Sequence, residues 1–132
     1  MSALAQILPH AGKAWCPTIL VTEDEVLVRG VVADHLRDAG FAVIEASNAA
    51  EAVDVLQSGE PVDLVFTDIA MPGIMNGAML ARWIYLNRPD VRVVLASGSA
   101  DSAQTFPDGR LFLKPYDLDD VESHIRRALG WA

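Results

Sequence analysis

The sequence predicts a single α/β domain, a doubly wound parallel sheet of five strands with helices on both faces. Three observations carry that expectation. Five short apolar runs alternate with stretches in most of which apolar residues recur every three or four positions. Parallel strands need crossover segments of helical length, and those crossovers cover both faces of the sheet. The chain has 132 residues, 52% hydrophobic and 21% charged, which suits one ordinary globular domain and leaves no room for two.

The first run, PTILVTEDE, has a compact core at Ile19 to Val21, the pattern of a strand buried on both faces, and it ends in acids. From Glu25 to Ala39, Val28, Val31, Val32, Leu36 and Ala39 fall at helical spacing, and Gly40 stands where a helix C-terminus favours glycine. FAVIEA is the second strand. Asn48, with Glu51 three residues on, forms a capping-box-like pair that opens a helix stopped by Ser58, Gly59 and Pro61. DLVFTD is the third strand, and a helix runs from about Gly77 to the break at Pro89. VRVVLASG is the fourth strand, while SADSAQTFPDG offers only a short or irregular fourth helix. RLFLK is the fifth strand, and Asp117 with Asp120 opens a last helix that closes on Gly130. Residues 1–16 read as a flexible N-terminal extension and 17–132 as the domain.

Composition excludes several function classes. A formal charge of −8 disfavours a phosphate backbone, so direct nucleic-acid binding is not expected. The single cysteine, Cys16, cannot close an internal disulfide. No apolar run approaches the roughly 20 residues of a membrane span, and MSALAQILPHAGK lacks the basic start of a signal peptide. A cytoplasmic protein with no membrane contact is expected.

In open parallel sheets ligands collect at the carboxyl ends of the strands. Those ends carry Glu23 and Asp24 after the first strand, Asp68 after the third, Ser97 after the fourth, and Lys114-Pro115 after the fifth. Three neighbouring carboxylates repel one another unless a cation joins them. Magnesium accepts all-oxygen sites built from one or two carboxylates, waters and a phosphate oxygen. A lysine pairs with a phosphoryl oxygen, a serine hydroxyl donates to another, and a carboxylate serves as nucleophile in acyl phosphate formation. The set is suited to phosphorylation of an aspartate.

E-D after strand one, D-x-x-M-P after strand three, A-S-G after strand four and K-P after strand five together resemble the receiver domain of two-component response regulators, here of the single-domain type. The resemblance spans residues 17 to 130 and implies a flavodoxin-like fold of receiver type. It implies Asp68 as phosphoacceptor, Lys114 as phosphate partner and Ser97 as switch hydroxyl. It further implies a Mg2+ site of Glu23, Asp24, Asp68 and the backbone oxygen of Ala70. The partners implied are a histidine kinase or phosphotransfer protein and a downstream protein target. Chemistry would be limited to magnesium-dependent self-phosphorylation and slow autodephosphorylation.

The sequence departs from the family pattern in four places. Leu111 replaces the aromatic usual three residues before the lysine, and neighbouring Phe112 should face the opposite way. The segment from Ser97 to Lys114 is short. One extra residue lies between Pro72 and Gly77, with Asn76 where an acid is usual. Ala70 has no side chain able to orient a hydrolytic water.

Simpler readings compete at each position. Acids after a strand also stabilise a helix N-terminus, and Lys114-Pro115 is also a turn signal. His10, His35 and His124 lack ligand spacing and read as surface or helix residues, and Trp83 and Trp131 as packing groups. The alternative function is a receiver-like interaction module independent of phosphorylation. A flavodoxin-like cofactor binder would need a neutral loop after strand one, where TEDE would repel phosphate.

Overall fold

The computed structural model describes residues 15–71, 73–98 and 110–131. Nearly all of the expected N-terminal extension, Pro72, and the segment expected to hold a reduced fourth helix lie outside the described residues. Strands β1 (Thr18–Thr22), β2 (Ala42–Ala46), β3 (Leu64–Asp68), β4 (Arg92–Ser97) and β5 (Arg110–Leu113) form one parallel sheet in the order β2-β1-β3-β4-β5. The described helices are α1 (Val26–Asp38), α2 (Ala49–Gln57), α3 (Gly77–Asn87) and α4 (Leu118–Leu129). The chain steps outward from β1 to β2 and then returns to β3 on the other side. The crevice that opens where the strand order reverses therefore lies between the ends of β1 and β3.

The alternation of side chains along each strand sorts the core into two layers. Ile19, Val21, Leu64, Phe66, Val94 and Phe112 pack under α1 and α4, against residues such as Leu36, Val121 and Ile125. Leu20 and Val65 face the other way, against Ala52 and Leu56 of α2 and Leu80 and Ile84 of α3. β1 and β3 are buried along their whole length. Phe112 does face away from the side of Leu111, as strand alternation requires: it lies in the α1/α4 layer, with its ring 5.8 Å from His124.

The helix boundaries follow the signals in the sequence, with two adjustments. Asn48 accepts the Glu51 N–H at 2.8 Å, but the Glu51 carboxylate reaches the N–H and hydroxyl of Ser47 rather than the backbone of Asn48. Asp117 caps α4 by accepting from the Asp119 N–H at 2.8 Å, and Asp120 takes no part in that cap. Gly40 and Gly130 end α1 and α4 with φ of +103° and +63°. After each glycine the chain folds back onto its helix, with Phe41 N–H donating to Leu36 and Trp131 N–H to Arg126. The two returns meet: the Phe41 and Trp131 rings lie 4.7 Å apart, and the Arg126 guanidinium covers both. Trp131 is thus a packing group, as is Trp83, half-buried against the α2/α3 layer. No helix among the described residues is long and apolar enough to cross a membrane.

Candidate functional site

The ladders run one residue past the assigned strands at the carboxyl edge. Glu23 N–H donates to Ala46, Ile69 N–H to Ala96, and Lys114 N–H to Ser97. Because side chains alternate, the row that begins with Ile19 and Val21 reaches the edge as Glu23. The row of Leu64 and Phe66 arrives as Asp68, and that of Phe112 as Lys114. The apolar face over α1 and α4 thus ends in two acids and an ammonium. The opposite rows, through Leu20, Val65 and Val93, end in Thr22, Thr67 and Ser97, so that face ends in three hydroxyl residues, all buried.

Lys114 Nζ donates to Asp68 Oδ2 at 2.7 Å and to Glu23 Oε1 at 3.5 Å, joining the ends of β1, β3 and β5. Asp68 Oδ1 accepts from the Ala70 N–H at 3.2 Å, and Glu23 Oε2 from the Glu25 N–H at 3.1 Å. Both carboxylates are therefore held, although Asp68 is only 8% exposed and Glu23 5%. Arg29 on α1 donates to the Glu23 carbonyl at 2.8 Å and pairs with Glu45 of β2.

Burial pushes the Glu23 carboxyl above its ordinary range, aided by a hydrogen bond with Asp24 and the charge of Asp68; the Glu25 N–H and the charge of Lys114 oppose the shift. For Lys114, burial alone would lower the pKa. The hydrogen bond to Asp68 and the charges of Asp68 and Glu23 overcome that and raise it, so the group stays an ammonium. One lysine does not balance the cluster, because carboxylate oxygens of Glu23, Asp24 and Asp68 converge within 4.8 Å of one another. That surplus charge, on hard oxygen donors, is what a magnesium ion would relieve, so the residues present fit the ion.

Two features of the site were not anticipated from the sequence. A Cβ on Gly77 would overlap the carbonyl oxygen of Asp68 and stand 2.7 Å from its carbonyl carbon and 2.8 Å from Ile69 Cα. Only glycine lets the first turn of α3 lie on the peptide that carries Asp68. Gly77 N–H also donates to the Ile69 carbonyl at 2.9 Å, and Asn76, in the place where an acid is usual, caps the helix through the Met79 N–H. The second is Thr67, whose hydroxyl donates to the Asp68 carbonyl at 3.0 Å. A glycine directly after a helix cap, where better helix formers fit, was the available signal for the first; nothing local marked the second.

The remaining expected residues fall as follows. Ser97 is buried at the end of β4, and Ala70 is exposed beyond Asp68. Leu111 is half-buried on β5, the Lys114–Pro115 peptide is cis, and Tyr116 packs edge-on against Phe66 at 5.6 Å. His35, which showed no ligand spacing in the sequence, meets Asp119 and Glu122 across α1 and α4.

Residues 19–126 match the response regulator receiver domain. The chain is 34% identical over 116 residues to the response regulator receiver protein CpdR of Brucella abortus (strain 2308), covering 84% of this chain and 95% of CpdR. It is 31% identical over 118 residues to the sensor kinase CckA of the same organism, covering 85% of this chain but only 12% of CckA. Among solved structures, a response regulator receiver protein from Sinorhizobium medicae WSM419 superposes with a TM-score of 0.81 at 29% identity, over 87% of this chain and 95% of that one. The response regulator TrrA from Thermotoga maritima, solved in complex with Mg(2+)-BeF, gives a TM-score of 0.78 at 26% identity, over 86% of this chain and 99% of that one.

Proposed function

Because the chain belongs to the response regulator receiver domain family of two-component signalling, we propose that Asp68 accepts a phosphoryl group from a histidine kinase or phosphotransfer protein. The domain would span residues 17–132 behind an N-terminal extension and work in the cytoplasm. The observation that carries this reading is the 2.7 Å contact of Lys114 with Asp68 inside a carboxylate cluster at the sheet's switch point.

In the transfer, one Asp68 carboxylate oxygen forms the new O–P bond while the P–N bond to the donor imidazole breaks, and the leaving nitrogen keeps the electron pair. Glu23, Asp24, Asp68 and the Ala70 backbone oxygen would hold Mg2+, which when bound would neutralise charge on the phosphoryl oxygens. Lys114, already an ammonium against Asp68, follows the negative charge onto the phosphoryl group, which asks for little motion from a side chain at hydrogen-bond distance. Ser97 is the hydroxyl that approaches another phosphoryl oxygen. The TrrA complex with Mg(2+)-BeF supports a magnesium-dependent site on this fold. The added group brings about −1.5 to −2 charges and biases the face around β5 and α4 toward a protein target.

Acetyl phosphate with Mg2+ should label the wild type with one phosphoryl group, and Asp68→Asn should take none. Absence of labelling from acetyl phosphate and from every histidine kinase of the host would end the proposal. Leu111, half-buried where an aromatic is usual, favours one other reading, a receiver-like module whose contacts ignore phosphorylation. Unchanged partner binding by Asp68→Ala would select it.

A further inference from the structure

We propose that His35, Asp119 and Glu122 form a site for a divalent transition ion of the zinc class, clasping α1 to α4. It shares no residue with the Asp68 cluster and does not depend on it. Asp119 and Glu122 stand three residues apart on the first turns of α4, so their side chains rise on one face. His35 comes to them from α1.

The spacing suits coordination. His35 Nε2 lies 3.0 Å from Glu122 Oε1 and 3.5 Å from Asp119 Oδ1, and the three ligand atoms fall within 4.8 Å of one another. An ion with bonds of about 2.0–2.2 Å holds neighbouring ligand atoms about 2.9–3.5 Å apart, so two edges of the polyhedron already have their length. The imidazole decides the metal class. Magnesium wants oxygen throughout, whereas zinc and its neighbours take imidazole nitrogen beside carboxylate oxygen, often with three protein ligands and a water. Asp119 is open to solvent, which leaves that water an approach.

Glu122 is also aimed. Its second oxygen, Oε2, accepts from Arg126 Nε at 3.0 Å. Arg126 is itself fixed by the Ala39 carbonyl at 2.7 Å and by the Phe41 and Trp131 rings at 5.2 and 4.7 Å. An outer partner that fixes a ligating carboxylate in this way is a regular part of metal sites. The ligating nitrogen must carry no proton, so an ion at Nε2 selects the neutral imidazole with its proton on Nδ1.

Titration calorimetry with zinc chloride at pH 7.5, in excess Mg2+, tests the site on the full chain. The wild type should bind one zinc ion that raises its melting temperature. Affinity should fall at least tenfold in His35→Gln and in Glu122→Gln, and stay unchanged in Asp24→Asn. Cobalt should report the same pattern through its visible absorption. Equal zinc affinity in wild type and both α1/α4 variants, loss confined to Asp24→Asn, or no saturable binding would each reduce the cluster to an interhelical salt bridge and overturn the proposal. None of these outcomes bears on phosphoryl labelling of Asp68.

Discussion

Replacing Gly77 by alanine adds one methyl group against the backbone of the acceptor residue. That methyl would sit 2.7 Å from the Asp68 carbonyl carbon, where ordinary contact begins at 3.4 Å, so α3 and the end of β3 must part by about 0.7 Å, and further for the carbonyl oxygen. The obstacle is main chain on both sides, so no side-chain rotation relieves it. Overpacking of this kind costs about 1–3 kcal/mol, against which alanine returns up to about 1 kcal/mol of helix propensity. At roughly 4 °C per kcal/mol for a chain of this size, the net cost of up to about 3 kcal/mol should lower the melting temperature by up to about 12 °C. The functional loss should be larger in proportion, because shifts near 1 Å at a reacting group cost up to about 100-fold in rate. Labelling of Asp68 by acetyl phosphate, followed on phosphate-affinity gels at temperatures where the variant is folded, should slow by about 10- to 100-fold. A folded Gly77→Ala protein that melts within 1 °C of wild type and is labelled at the same rate would refute the role given to this glycine.

Three further outcomes follow from the site and the helix caps. Lys114→Met leaves Asp68 and Glu23 facing each other without a cation; it should lose about 1–3 kcal/mol in urea without magnesium, a range reduced because the lysine is partly exposed, and magnesium should recover part of the loss. Ala70→Asn adds a side chain able to orient water beside the acyl phosphate, so its phosphorylated form should decay faster than wild type; equal or slower decay would mean the position does not govern hydrolysis. The Ser47 N–H, and then the Ser47 hydroxyl, hold the Glu51 carboxyl below its ordinary 4.5. A depressed acid stabilises the fold above its unfolded pKa and loses that contribution as pH falls through the folded value. Glu51→Gln should therefore be less stable than wild type at pH 7, with the gap closing below pH 4.5 in urea titrations.

Periodicity made the fold legible, because the strand runs are short and apolar and three of the four crossovers carry helical spacing. The reactive edge was legible for a related reason: Glu23, Asp24, Asp68 and Lys114 are named by where their strands stop, and a parallel sheet puts all those stops on one side. What stayed hidden depends on contacts between distant segments. His35 and Glu122 are 87 positions apart, and no spacing rule links a residue on α1 to one on α4. The nearness of Gly77 to Asp68 was equally invisible, since a glycine that begins a helix carries no mark of the backbone pressed against it. The cap of α4 illustrates a smaller limit: three aspartates crowd its start, and only geometry shows that Asp117 turns to Asp119 and not to Asp120.

The sorting of charges to one face of the sheet and hydroxyls to the other makes the sheet a partition with a single open border. The Asp68 carboxylate stands on the side of α1 and α4, whereas Thr22, Thr67 and Ser97 belong to rows packed, farther back, against α2 and α3. The buried rows of β1 and β3 offer no path through the middle, so a charge added on one side would reach the other around the carboxyl edge.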